Sequence, residues 1–241
     1  GWHVPGITSL STARQGGCSA APWDSFNLGH HVGDDPKAVN ANRSELLAAL
    51  PAASTIQWLQ QVHGTAVVKA GGSAHPEADA CWTDQPGVAC AVMTADCLPV
   101  LLASEDGKVV AAAHAGWRGL MAGVLESTVA AMNTRPERVL AWLGPAIGPM
   151  AFEVGDEVRD GFLSLARPPE VAAIAACFVP VVHRPGHYLA DLYALARARL
   201  NGLGVSSVFG GDHCTHSDSK RFFSYRRDGE TGRMASLILL R

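Results

Sequence analysis

The chain has 241 residues, 48% of them hydrophobic and 17% charged, with a formal net charge of −3. That is enough apolar material for a substantial core and too little positive charge for a face that grips nucleic acid, and no segment reaches the roughly 18 consecutive apolar residues of a membrane helix. Six cysteines at positions 18, 81, 90, 97, 177 and 214 are spread without a CxxC pair, which points to a reducing compartment and a cytoplasmic location, not to a disulfide-stapled secreted chain. The start, GWHVPG, lacks the charged-then-apolar layout of a signal peptide, and Gly1 in place of methionine points to trimming or a tag remnant, leaving room for a lost targeting segment.

Residues 13–36 are dense in Gly, Asn, Asp, Ser and Pro yet hold Trp23, Phe26 and Leu28. They read as a long ordered loop with aromatic anchors, and such loops in compact domains usually have a use. Asp35 before Pro36 predicts a helix start, because a cap carboxylate accepts an orphan N–H and proline suits the first turn; the helix runs to about Leu50 and ends before Pro51. Strands are predicted at 56–59, 65–70, 88–94 and 108–114, the last two apolar nearly throughout and so covered on both faces. Met121, Leu125, Val129 and Met132 recur at helical spacing, which predicts one helix over 120–133 lying on the sheet. A strand over 138–144 stops at Gly144 and Pro145. Asp191 caps a helix through about 201, where Leu192, Leu195 and Arg199 give one apolar and one wet side. Strands near 205–209 and at 234–240 complete the pattern. With no repeat and no linker, one α+β domain over 1–241 is expected, its mixed sheets covered by helices.

Three stretches each place a metal-ligand type beside a turn: QQVHG with His63, TADCLPV with Cys97 and HAGWRG with His114. Two imidazoles and a thiolate suit Zn²⁺, and three protein ligands leave a fourth position open for water or substrate. The three are far apart in sequence and match no short zinc signature, and each alone serves equally as a structural residue, so the zinc reading requires that they converge in space. A second reading needs no metal: Cys97 as nucleophile, His114 or His63 as base, and Asp96 or Asp79 as orienter, with a lowered thiol pKa and hydrolysis or acyl transfer as the chemistry. Toward the C-terminus, His213 and His216 have the spacing of a metal pair but also suit an ordinary turn. Tyr225, Arg226 and Arg227 read as a local anion contact or as plain surface, a guanidinium fork being matched to phosphate oxygens. Arg43 on the first helix and Arg118 beside the glycine-rich turn compete for that role, with structural ion pairs as their alternative.

Taken with PWDSFNLGHHVGDDP (22–36), NR (42–43) and FFSYRRDGETGR (222–233), these three motifs in order resemble the bacterial laccase-domain family over residue 8 to the C-terminus. Its members were first called polyphenol oxidases and later assigned to purine nucleoside phosphorolysis. The resemblance implies a zinc surrounded by His63, Cys97 and His114, and a layered α/β/β/α fold similar to toxin-type cysteine hydrolases. It implies a pocket bordered by Asn27 and Arg226. The implied reactions are phosphorolysis of adenosine, inosine and methylthioadenosine together with adenosine deamination, with nucleoside and phosphate as partners. One of Arg43, Arg118 and Arg226 would place the phosphate, and Asp79 or Asp96 would shuttle protons. A metal-free cysteine hydrolase acting on a small molecule or cell-wall precursor is the first alternative. Copper-dependent phenol oxidation is the second; the chain's 10 histidines include no His-x-His pair, so copper is expected only under excess metal. Oligomeric state is not legible.

Overall fold

The computed structural model describes residues 2–72 and 75–241, so Gly1 lies outside the described residues. In chain order the elements are β1 (Ile7–Ser11), α1 (Pro36–Ala48), β2 (Thr55–Gln57), β3 (Val67–Lys69), β4 (Ala80–Thr83), β5 (Val88–Thr94), β6 (Leu98–Ser104) and β7 (Val110–Ala115). There follow α2 (Trp117–Ala122), α3 (Val124–Ala131), β8 (Val139–Leu143), β9 (Glu153–Gly155), α4 (Asp156–Ser164), α5 (Val171–Ala176), β10 (Phe178–Pro180) and β11 (His187–Ala190). The last are α6 (Leu192–Leu203), β12 (Ser207–Gly210), α7 (Tyr225–Asp228) and β13 (Met234–Leu240).

Two sheets carry the site. One has the order β1-β13-β5-β2 and the other β12-β8-β6-β7-β4-β3. Both are mixed: β2 runs parallel to β5, while β3–β4 and β8–β12 are the parallel pairs of the larger sheet. Their inner faces meet through Cys81, Cys90, Val92, Leu101, Ala112 and Ile238, all fully buried. The outer face of the smaller sheet packs Ala91, Met93 and Leu237 on Leu46 of α1. The outer face of the larger one packs Val100, Leu102 and Ala113 on Leu125 and Val129 of α3 and on Leu195 of α6. With both faces covered, β5 after Val88 and all of β6, β7 and β13 are buried. This is why their sequences are apolar without alternation. A third, small sheet, β10-β11-β9, sits beside α4 and α5. Among the described residues no helix is long and apolar enough to cross a membrane.

The two caps expected from the sequence form. Asp35 accepts from Lys37 N at 2.9 Å, and Asp191 accepts from Ala194 N at 2.9 Å. Three expectations are corrected. The helix predicted over 120–133 is two, α2 and α3, because Gly123 adopts φ +103° between them, where a side chain would be strained. The apolar run after Cys97 is a further strand, β6, which the sequence reading passed over; its Pro99 lies opposite His114 of β7. Arg199 is not on a wet face. It is buried, its Nη1 3.7 Å from both Glu126 and Glu170, because α3 and the segment around Glu170 cover that side of α6.

The long loop is held by Asn42 of α1. Its Nδ2 donates to the carbonyls of Ser25 (3.1 Å) and Asn27 (2.9 Å) and to Ser19 Oγ (3.0 Å), and its Oδ1 accepts from Cys18 N at 3.0 Å. An amide whose donors and acceptor are all used inside the protein is costly to remove, because its partners stay buried. Asn42→Ala is expected to lower stability by about 2 kcal/mol and to open residues 13–35 to limited proteolysis, measured by chemical denaturation and by mapping of the first cleavage sites.

Candidate active site

The site is built around a buried carboxylate. Asp79, fully buried just before β4, accepts four hydrogen bonds. Oδ1 accepts from His63 N (2.9 Å) and His114 Nδ1 (2.8 Å), and Oδ2 from Val62 N (3.2 Å) and Gly64 N (2.6 Å). A single side chain thereby fixes two histidines that lie 51 positions apart in the chain. It also explains how His63 holds φ +62°, a conformation unfavourable for a residue with a β-carbon: three successive N–H groups converge on the carboxylate. Because an ionised carboxylate only accepts, His114 donates from Nδ1 and keeps Nε2 for the cavity.

Cys97 arrives from another direction. The turn after β5 carries the chain from the smaller sheet to the larger, and Asp96 in that turn has φ +91°. Its carboxylate is held by Thr215 Oγ1 (2.6 Å), Ser224 Oγ (2.9 Å) and Arg226 N (2.7 Å). Those bonds tie the turn to the C-terminal segment and set the direction of the neighbouring thiol. The glycines of HAGWRG make the remaining room. A Cβ on Gly116 would lie 3.0 Å from both Cys97 Sγ and His63 Cδ2, and one on Gly119 would lie 2.9 Å from the carbonyl oxygen of Gly64. The absence of bulk behind His114 is what allows the other two ligands to approach it.

The donor atoms of His63, Cys97 and His114 all lie within 4.8 Å of one another, and Cys97 Sγ is 3.7 Å from His63 Nε2. Tetrahedral zinc with ordinary Zn–S and Zn–N lengths holds such a pair about 3.6 Å apart, so this pair already stands at the spacing the metal needs and the donor types suit it. The Asp79–His114 bond is also the outer carboxylate that zinc-bound histidines commonly carry. Without metal the same atoms form an ion pair. Burial pushes the Cys97 thiol up, but the charge and hydrogen bond of His114, then those of His63, outweigh it and bring it down to about 6. Burial pushes His114 down, but Cys97 and Asp79 outweigh it and raise the imidazole to about 9. Burial likewise pushes Asp79 up, and its bonds to His114 and the Gly64 N–H hold it below the usual carboxylate range.

These groups open into a cavity of about 720 Å³, lined also by Trp117, Phe152, Tyr225, Arg118, Arg226 and Arg233. That volume is in the range of small-molecule sites. Of the residues singled out in the sequence, Asp96, Arg118 and Arg226 reach its wall and Asp79 stands behind it. Asn27 and Arg43 do not line it. Asn27 is fully buried, and Arg43 stacks 4.0 Å over Trp58, donates to the Leu28 carbonyl at 2.9 Å and faces a separate surface cavity of about 390 Å³. His213 packs on Phe222 at 5.7 Å and stands apart from the cluster, as does His216. Arg227 is tied to Asp228 at 2.7 Å and to the carbonyls of Thr215, His216 and Phe222. Sequence reasoning missed His31 and Arg233. Both stand in motifs quoted above, but nothing in their spacing says that residues so far apart share a wall.

Comparison with known proteins places this geometry. A family model described as multi-copper polyphenol oxidoreductase laccase matches residues 8–241. The Escherichia coli (strain K12) protein named purine nucleoside phosphorylase YfiH is 53% identical over 242 residues, covering 99% of this chain and 96% of the relative. The chain belongs to the YfiH family. Another family member, the Pseudomonas aeruginosa protein named purine nucleoside phosphorylase PA4543, is 52% identical over 240 residues, with the same coverage of 99% and 96%. Among solved structures, the Neisseria meningitidis protein NMB0706 superposes with a TM-score of 0.92 at 50% identity, covering 100% of this chain and 97% of that one. YlmD of Geobacillus stearothermophilus superposes with 0.87 at 35% identity, covering 98% and 93%. The YfiH-family chain thus carries a His–Cys–His cluster suited to metal- or thiol-based chemistry.

Two outcomes test this site. In metal-free protein the Cys97 thiolate forms above its pKa, so its alkylation by iodoacetamide, followed peptide by peptide, rises through about pH 6 and is level by neutral pH. In His114→Ala the imidazolium is gone and the rise moves up toward the ordinary thiol range of about 8.5. Gly119→Ala, which pushes on the 62–64 turn, is expected to weaken zinc binding about 10-fold or more at nearly unchanged secondary structure, measured by competition with a chromogenic chelator.

Proposed function

We propose that this protein is a zinc-dependent purine nucleoside phosphorylase that cleaves adenosine, inosine and methylthioadenosine with phosphate, and that it also deaminates adenosine. The carrying observation is the pairing, in one cavity, of the His63–Cys97–His114 cluster with three arginines, none of which has a carboxylate partner within ion-pair distance among the described residues. The curated relatives' names give the nucleoside class. Phosphorolysis develops positive charge at the anomeric carbon and negative charge on the departing base, and it needs an anionic nucleophile held in line. The arginines supply the field for phosphate, while Trp117, Phe152 and Tyr225 offer flat apolar surface to purine and ribose. His63, Cys97 and His114 would hold zinc, which when bound supplies Lewis acidity. Asp79 orients the His114 imidazole, so that a ring nitrogen of His114 faces the cavity, and fixes the backbone that carries His63. The whole chain is taken as one functional domain, and its six free cysteines suit a reducing compartment.

A second reading has its own observation. Cys97 next to His114, itself held by Asp79, has the order of a thiol nucleophile, its base and its orienter, and the ion pair exists without metal. This supports the metal-free hydrolase as the alternative. Copper at the same donors fits the wording of the family model, and copper outcompetes zinc for such ligands when abundant.

Adenosine and inosine incubated with and without phosphate, in zinc-replete and chelated samples, separate these readings by product chromatography. Phosphate-dependent release of adenine and hypoxanthine that stops on chelation and returns with Zn²⁺ is expected. Activity surviving chelation transfers the chemistry to Cys97. Cys97→Ala is expected to lose both reactions at retained fold, and His213→Ala to keep the metal stoichiometry.

A further inference from the structure

The three cavity arginines are not equivalent. Arg118 is exposed and stacks 4.3 Å over its neighbour Trp117. Arg226 is also exposed, and its Nη1 donates to the Glu153 carbonyl at 3.0 Å. Arg233 alone is half-buried, and its guanidinium is anchored from behind: Nη1 donates to the carbonyls of Thr231 (2.9 Å) and Gly232 (3.1 Å). Nε and Nη2 meet no acceptor among the described residues, and no carboxylate pairs with the charge. That leaves free the edge of a guanidinium that takes two oxygens of one oxyanion. A cation taken partly out of water, with no anion in contact and the charges of Cys97 and Asp96 acting only at longer range, gains from a ligand that supplies a paired counter-ion.

The backbone beneath it is fixed with equal care. Arg233 N donates to Asn27 Oδ1 at 2.9 Å, and the Arg233 carbonyl accepts from Leu28 N at 3.1 Å. The same Asn27 Oδ1 accepts from Gly29 N at 2.9 Å, and a Cβ on Gly29 would lie 2.8 Å from Arg233 Cγ. The NLG segment of the long loop therefore clamps Arg233 in place without touching the cavity itself.

We infer that the Nε–Nη2 edge of Arg233 is the phosphate anchor of the cavity, and that Asn27 is its positioning residue. The inference rests on the nucleoside phosphorylase reading and deepens it by naming the group that holds the nucleophile. It also gives Asn27, which does not line the cavity, a role through another residue.

The test measures inorganic phosphate binding to the zinc-loaded protein by calorimetry, apart from any turnover. Wild type is expected to bind phosphate, Arg233→Gln to bind it about 100-fold more weakly, and Arg233→Lys to recover only part, since an ammonium cannot bridge two oxygens with a fixed fork. Arg226→Gln is expected to change affinity less than about 10-fold. In turnover, Asn27→Ala is expected to raise the phosphate KM while leaving the nucleoside KM and the zinc content unchanged, a split that general unfolding does not give. Phosphate bound as tightly by Arg233→Gln as by wild type overturns the inference, as does its loss in Arg226→Gln alone or its absence in wild type. Phosphate bound through Arg233 with no nucleoside cleaved supports the anchor and overturns the phosphorylase reading instead, so the two failures are distinguishable.

Discussion

The site depends on the Asp79 carboxylate. A fully buried carboxylate is tolerable only when its lone pairs are used, and here four N–H groups use them: three from the 62–64 turn and one from the His114 ring. The arrangement solves two problems together. It supports the left-handed backbone at His63, and it fixes which nitrogen His114 presents. The two imidazoles pack edge to face at 4.8 Å, and the carboxylate, together with the glycines that let the chain segments close on it, sets the geometry of the cluster.

Much of the fold was legible because local rules and tertiary context agree. Asp35–Pro36 and Asp191 cap helices as their residue types require, and the continuous apolar runs at 88–94 and 110–115 became strands buried on both faces. Where context overrode the local pattern, the reading broke down. Gly123 splits a stretch whose apolar spacing looks uninterrupted, since a glycine at positive φ costs the periodicity nothing. Pro99 hides β6 because proline lacks an N–H, yet its carbonyl still pairs, accepting from Gly144 N at 2.9 Å. Arg199 looks solvent-facing by type and is buried by what packs over α6.

The site divides in the same way. His63, Cys97 and His114 could be singled out by residue type beside turns, and the fold brings them together. Asp79 and Asp96 were candidates by proximity to the motifs, as orienters or proton shuttles. Asp79 orients; Asp96 spends its oxygens on Thr215, Ser224 and the Arg226 backbone. Arg43 could not be told from a cavity residue, because a cation stacked on tryptophan and one facing a ligand have the same sequence. Arg233 was hidden for the opposite reason: its partners are the carbonyls of Thr231 and Gly232, the Leu28 N–H and the side chain of Asn27 more than 200 positions away, which no local side-chain pattern records.

The turn that carries Cys97 has a further consequence. It is the passage of the chain from one sheet to the other, while both histidines are suspended from the larger sheet through Asp79. The sulfur stands just before β6 and His114 on its neighbour β7, so both sit at one end of the larger sheet, while the other end of the turn is fixed to the smaller one. The side chains between the two sheets, among them Cys90, Leu101 and Ala112, set the gap that this turn has to bridge. Thickening that interior by one methylene would strain the turn that carries Cys97, because its two ends belong to different sheets.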